Sequence, residues 1–178
     1  MFCCSSAILK YICEQYKLDD HWYPSDLRVR AKVDEYLSWH TGGIRCKCFY
    51  WAVIAPAKLK KETSAEKMEE VTENLKSALG LLETYFLSGE DPFICGQEIS
   101  IADILCLGEV TQYWMTGDKL EDGYPKLKAW VERCQQYLGD VFERVYEPIY
   151  KVTKDGIFKY NFNPVSYTHL TLPTKRIV

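Results

Sequence analysis

The stretch Phe93–Ile104 constrains the fold of this chain more than any other, because it writes a complete helix start in front of a strongly apolar run. Ser100 suits the N-cap, where its hydroxyl would accept the backbone N–H of Asp103 while the Asp103 carboxylate reaches back to the N–H of Ser100. Ile99 and Ile104 stand at the hydrophobic staple positions on either side of that cap. Ile101, Ala102, Ile104, Leu105, Cys106, Leu107 and Val110 follow. Apolar residues on nearly all sides mark a helix surrounded by others. A buried first turn leaves orphan N–H donors without water, which raises the value of the cap.

With 178 residues the chain can bury one sizeable core without staples or metals. A formal net charge of −3 and scattered lysines leave no basic face for a nucleic acid, and no apolar stretch approaches the length of a membrane span. The reading is a soluble, cytoplasmic protein with neither nucleic acid nor membrane as partner. Met1-Phe2-Cys3-Cys4-Ser5 has no basic n-region or cleavage site, and no glycine for myristoylation. Eight cysteines (Cys3, Cys4, Cys13, Cys46, Cys48, Cys95, Cys106 and Cys134) contain no Cys-x2-Cys pair, so free and mostly buried thiols are expected, with no metal site.

Helical spacing recurs along the rest of the chain. From Ser5 to Tyr16, Ala7, Ile8, Leu9, Tyr11, Ile12 and Cys13 repeat at helical steps, with Ser5 or Ser6 as cap, and Leu18–Pro24 breaks the pattern. Ser25-Asp26-Leu27 opens a long helix towards Pro56, with Leu27, Ala31, Val33, Leu37, Ile44, Cys48 and Trp51 on one side. Gly42-Gly43 inside it costs about 2 kcal/mol of helix propensity against alanine, which predicts a bend or a close approach by a ligand or a neighbouring backbone. Thr63-Ser64-Ala65-Glu66 is a second capping box, followed by Met68, Val71, Leu75, Ala78, Leu79, Leu82 and Tyr85 up to Gly89. Pro125 predicts a first helical turn, with Leu127, Trp130, Val131, Cys134 and Leu138 buried and Gly139 as the stop. A last helix over 140–153 carries Val141, Phe142, Val145 and Ile149, with Pro148 expected to bend or shorten it. With no strand signal and no repeat, the fold class is all-α, a bundle of about six helices.

The pattern Cys95-Gly96, then Ile99-Ser100-Ile101-Ala102-Asp103-Ile104, resembles the central helix of the C-terminal domain of cytosolic glutathione transferases. The string Cys4–Ile12 is similar to the helix that closes the thioredoxin-like domain of that family. Asp20-His21-Trp22-Tyr23-Pro24 resembles the linker after it in the theta class, and Arg30–His40 resembles the first helix of the theta C-terminal domain. The resemblance implies a domain plan: 1–18 as the last helix of the thioredoxin-like domain, 19–25 as linker, and 26–155 as the C-terminal helical domain. Residues 156–178 follow neither helical spacing nor the family pattern and resemble read-through of vector sequence, so a non-native or disordered tail is expected there.

The same resemblance implies a chemistry. Glutathione transferases hold glutathione, a co-substrate and not a cofactor, so that its thiol ionises and attacks small electrophiles such as alkyl halides. A serine near the start of the thioredoxin-like domain stabilises the thiolate. The chain begins beyond that serine, so no catalytic residue is expected in it, and 1–178 alone is expected to be inactive. Ser5 aligns with the serine of the pair that binds the γ-glutamyl carboxylate, at a helix N-terminus that favours an anion; Cys4 stands in place of its acidic partner. His40, Gly42, Gly43, Ile44 and Arg45 align with the segment facing the theta active-site cleft, and the Arg45 guanidinium could hold a carboxylate or an anionic leaving group such as sulfate. Tyr113 and Trp114 could line the electrophile pocket. The plainer readings are a cap for Ser5, a solvated Arg45, an edge position for His40 and core or interface packing for the two aromatics. A homodimer is the family's usual assembly. The competing function is a non-catalytic helical interaction module of the kind found in translation factors and aminoacyl-tRNA synthetases.

Overall fold

The computed structural model describes residues 4–45, 64–111 and 123–155, and these form helices and connecting turns apart from one isolated bridge between Phe93 and Gly96. In chain order they are α1 (Ser5–Gln15), a 3-10 turn (Asp20–Trp22) and α2 (Leu27–His40), which continues as a π-helical turn (Thr41–Arg45). Next come α3 (Ala65–Leu81) with its own π-helical turn (Leu82–Phe86), α4 (Ile101–Thr111), α5 (Pro125–Leu138) and α6 (Asp140–Asp155). Cys3, Cys46, Cys48, Trp51, Pro56, Thr63, Tyr113, Trp114 and the 156–178 tail lie outside the described residues, as do the side chains of Met68, Val71 and Ile149.

Helix α4 is the centre, as its apolar surface predicts. α1, α2 and α5 all pack on it, and none of its eleven residues is exposed. Ile99 is wholly buried and Ile104 packs against the core. The end of α3 packs on α5, and α6 covers α5 from the other side of the Gly139 junction. Phe142, Trp130, Leu127 and Leu82 are among the largest side chains to be fully enclosed there. The described cysteines are free thiols, of which Cys13, Cys95, Cys106 and Cys134 are buried and Cys4 is exposed.

Helix ends follow local chemistry in most places. Asp26 caps α2, its carboxylate accepting the N–H groups of Arg28 and Val29 at 3.0 Å each. Pro125 occupies the first turn of α5, and Gly139 ends it with φ +53°. At α1 the cap is Cys4, one residue earlier than the Ser5 or Ser6 expected, so both serines already lie inside the first turn. That helix ends with Lys17 in the left-handed region (φ 49°) and Leu18 N–H donating to Cys13 C=O at 3.0 Å, a Schellman closure without glycine.

Between α1 and α2 the chain is pinned rather than loose. His21 Nδ1 lies 2.7 Å from the carbonyl of Ile99. Lys10 and Arg30 both lie over the Tyr23 ring, whose hydroxyl donates to Asp34, and Lys10 pairs with Asp34 at 2.6 Å. This cluster ties α1 to α2 across the turn.

Three predicted stripes are displaced. In α2, Leu27 is 80 % exposed and Ala31 is exposed, while Tyr36 and His40 are buried, because the first turns of the helix project into solvent. In α3 the π-helical turn places Leu87 N–H on Leu82 C=O at 2.8 Å. The five-residue step buries Leu87 and packs Phe86, leaving Tyr85 half exposed and bonded to Glu35 at 2.7 Å. In α6 the buried pair is Phe142 and Tyr146, stacked at 4.1 Å, and Val141 and Val145 face outward. Pro148 does not shorten that helix, which runs on to Asp155.

Candidate functional site

Two polar centres sit on the buried face of α4. The first is its cap. Ser100 is 2 % exposed and Asp103 is wholly enclosed. Asp103 Oδ2 accepts the Ser100 N–H at 2.9 Å, as predicted, and also the Ser100 hydroxyl at 3.0 Å. The Ser100 Oγ in turn accepts from Ala102 N–H at 3.3 Å, where the sequence predicted Asp103 N–H; the hydroxyl is drawn towards the carboxylate and faces the second turn position. Asp103 Oδ1 takes two donors from outside the helix, Ile94 N–H and Trp130 Nε1–H, both at 2.9 Å. Burial raises the carboxyl pKa from 3.8, and the donors from Ile94, Trp130 and Ser100 pull against that rise. The pair is structural: four bonds saturate a carboxylate that ties α4, α5 and the Phe93–Gly96 turn together.

The second centre lies where α2 ends. Gly43 has room only for a hydrogen, since a Cβ there would come within 2.3 Å of the Trp39 indole, while Gly42 has nothing within 4 Å. The predicted close approach at the glycine pair is therefore a side chain of the same helix, accompanied by a switch to π-helical winding. That turn buries Ile44 completely and sends Arg45 outward, with its side chain 55 % exposed. His40 is 1 % exposed, so it is a core histidine and not an edge one.

His40 and Arg45 converge on one atom. Arg45 Nη1 lies 3.4 Å and His40 Nε2 3.3 Å from Glu109 Oε1, and the Glu109 side chain is 7 % exposed. The Arg45 contact has hydrogen-bond geometry; the His40 contact is close but not aligned for one. Beside them the Tyr36 hydroxyl is fully buried without a well-aligned partner, and burial, followed by the neighbouring Cys106, raises its pKa well above 10. Sequence pattern alone did not single out Glu109. Its signal was there to be read: one carboxylate in the later part of a helix whose other faces are apolar.

Cys4 and Ser5 belong to a different element, the start of α1, and share no hydrogen bond or ion pair with His40 or Arg45 among the described residues. Cys4 has extended backbone (φ −103°, ψ 123°), and the backbone N–H groups of Ala7 and then Ser6 lower its thiol pKa from 9.0. Among the described residues no group of three or more His, Cys, Asp or Glu could hold a metal ion. None of their helices is long and apolar enough to cross a membrane. Arg45 is left as a half-exposed cation on a buried carboxylate, a group able to bind an anion.

Comparison with known proteins places this geometry. The family "Glutathione S-transferase, C-terminal domain" matches residues 44–136, just over half of the chain. Mouse glutathione S-transferase theta-1 is 38 % identical over 154 residues, which is 84 % of this chain and 64 % of that protein. Rat glutathione S-transferase theta-2 is 37 % identical over 151 residues, 83 % of this chain and 62 % of its own length. The chain thus spans a little under two thirds of these relatives. Human glutathione transferase theta-2, solved with glutathione and an unknown ligand, superimposes with a TM-score of 0.79 at 36 % identity over 88 % of this chain and 65 % of that one. A human theta-class transferase in complex with the glutathione conjugate of 1-menaphthyl sulfate gives 0.77 at 36 % identity over 86 % of this chain and 64 % of that one. An all-α bundle around a buried Ser-x-x-Asp helix, matched in sequence and in structure, makes this chain a member of the glutathione S-transferase family through its C-terminal helical domain, with theta-class enzymes among its relatives.

Proposed function

We propose that the chain supplies the helical half of a theta-like glutathione S-transferase, which conjugates the glutathione thiolate to small electrophiles such as alkyl halides in cytoplasmic detoxification. The observation that carries this reading is the match over most of the chain to theta-class structures solved with glutathione and with a glutathione conjugate. Residues 1–18 serve as the closing helix of the thioredoxin-like domain, 19–25 as linker, 26–155 as the helical domain, and 156–178 as a tail outside it. The start of α1, with Cys4 and Ser5, offers the positive end of a helix to the γ-glutamyl carboxylate. Gly42, Gly43 and His40 shape the turn that presents Arg45 to an anionic part of glutathione or a leaving group. Ile44 secures that turn from within the core, and Tyr113 and Trp114 line the electrophile side. The complete enzyme works as a homodimer.

Catalysis needs a group that stabilises the thiolate, and in this family it comes from the thioredoxin-like domain. Purified 1–178 is therefore expected to show no turnover of a small alkyl halide with glutathione. The same chain joined behind a theta-class thioredoxin-like domain is expected to turn over. Turnover by 1–178 alone at the level of that fusion, or a folded fusion with none, would refute the assignment. In the active fusion, Arg45→Ala should lower kcat/KM for a substrate with a sulfate leaving group by about 10- to 100-fold, the loss of one charge-assisted hydrogen bond.

A further inference from the structure

We propose that Glu109 is a positioning residue, whose buried carboxylate holds the Arg45 guanidinium in place for an anionic ligand. This rests on the reading above that Arg45 faces glutathione or a leaving group. Glu109 lies on α4, the most enclosed element, and is 6 % exposed, whereas the Arg45 side chain is 55 % exposed on a turn at the end of α2. A carboxylate so enclosed needs donors close by, and a cationic one serves it best. Arg45 Nη1 lies 3.4 Å from Oε1 on the solvent side, and the His40 imidazole, with Nε2 at 3.3 Å, packs against the same atom from inside the core. One N–H of the guanidinium is spent on the contact, and the fork still presents others outward.

A free arginine loses its rotamer freedom when it binds an anion; a tethered one has lost it beforehand, which favours binding. Gly43 serves the same end. The Trp39 indole occupies the place a Cβ would take at Gly43, and that packing backs the π-helical turn that carries Arg45. His40 fills the inner side of the carboxylate, so the space into which Glu109 could turn away from Arg45 is occupied by the imidazole.

Side-chain NMR of 15N-labelled 1–178 tests the idea, following the arginine Nε–Hε groups with Arg45→Lys for assignment. Arg30 and Arg133, whose Nε groups donate to the carbonyls of Pro24 and Pro92, are the fixed references. Arg28 and Arg144, both exposed, are the mobile ones. In the wild-type chain Arg45 should behave as fixed, with an order parameter close to those of Arg30 and Arg133 and well above those of Arg28 and Arg144. Glu109→Leu should bring it to the level of Arg28 and Arg144 while Arg30 and Arg133 keep theirs, and Glu109→Gln should fall between. Should the leucine variant not fold, the wild-type and Glu109→Gln values decide. An Arg45 as mobile as Arg28 in the wild type overturns the proposal. So does a simultaneous loosening of Arg30, Arg133 and Arg45 in the variants, which would make Glu109 a general support of the core. Turnover plays no part in the measurement, so a mobile Arg45 would leave the transferase assignment standing, and failure of that assignment would not alter the order parameter.

Discussion

At Gly43 a single hydrogen in place of a methyl group decides how α2 ends. An alanine Cβ would overlap the Trp39 indole, and Trp39 cannot simply swing aside, because it packs on Phe86 at 4.8 Å and Tyr36 at 5.7 Å. Gly43→Ala should cost about 1–3 kcal/mol of stability by overpacking. Gly42→Ala, with nothing within 4 Å, should be neutral or gain up to about 1 kcal/mol of helix propensity. Urea denaturation of the two variants checks the contrast, and equal midpoints would contradict it. Asp103 is a second such residue. Asp103→Ala would strand the Ile94, Ser100 and Trp130 donors in the core, and the expected loss is about 1–3 kcal/mol for each donor left unpaired. Ser100→Ala should lose only about 0.5–2 kcal/mol, the usual value of a cap. The sequence discloses the local half of this network, because Ser100 and Asp103 are three residues apart. The Trp130 bond spans 27 residues, and no local rule connects its ends.

Among the helices, α5 shows how an element can be started from a distance. Tyr124 at its N-cap makes no side-chain capping bond. The carboxylate of Glu83, from the π-helical turn after α3, accepts the N–H groups of Lys126 at 3.0 Å and Leu127 at 2.8 Å. It satisfies orphan donors and places negative charge at the positive end of the helix. Glu83→Ala should lower stability by about 1–2 kcal/mol, and thermal unfolding at low and high salt checks it: the loss should shrink with salt, since part of it is the charge–dipole term. The sequence predicts the existence of all six described helices and misplaces three of their faces. The physical reasons differ. A π-helical turn adds a residue and rotates the side chains after it, so Leu87 and Phe86 replace Tyr85. In α6 either of two adjacent faces could have packed, and the larger Phe142 and Tyr146 side chains take the contact with α5. Leu27 obeys the period of α2 but lies in a first turn that has nothing to bury against.

For the whole molecule, the enclosed thiols tie stability to alkaline pH. Burial raises the Cys95 pKa from 9.0 to about 12 and moves Cys134 in the same direction. A raised folded-state value means that the unfolded chain releases these protons first, so this stabilisation is complete below pH 9 and is lost as pH rises from 9 towards 12. Urea midpoints should fall over that window, and Cys95→Ala should flatten the slope even though it lowers stability at neutral pH; an unchanged slope would count against the burial argument. The sequence by itself determined the all-α class, the central helix with its cap, and the punctuation at Asp26, Pro125 and Gly139. Each of these is set by residues within one or two turns of each other, where backbone hydrogen bonding and side-chain period dictate the outcome. Only the tertiary structure decided which carboxylates serve the core and which reach the surface. Glu109 meets Arg45 across 64 residues, and that meeting depends on how α2 lies against α4, a matter of packing that no stretch of either helix encodes alone.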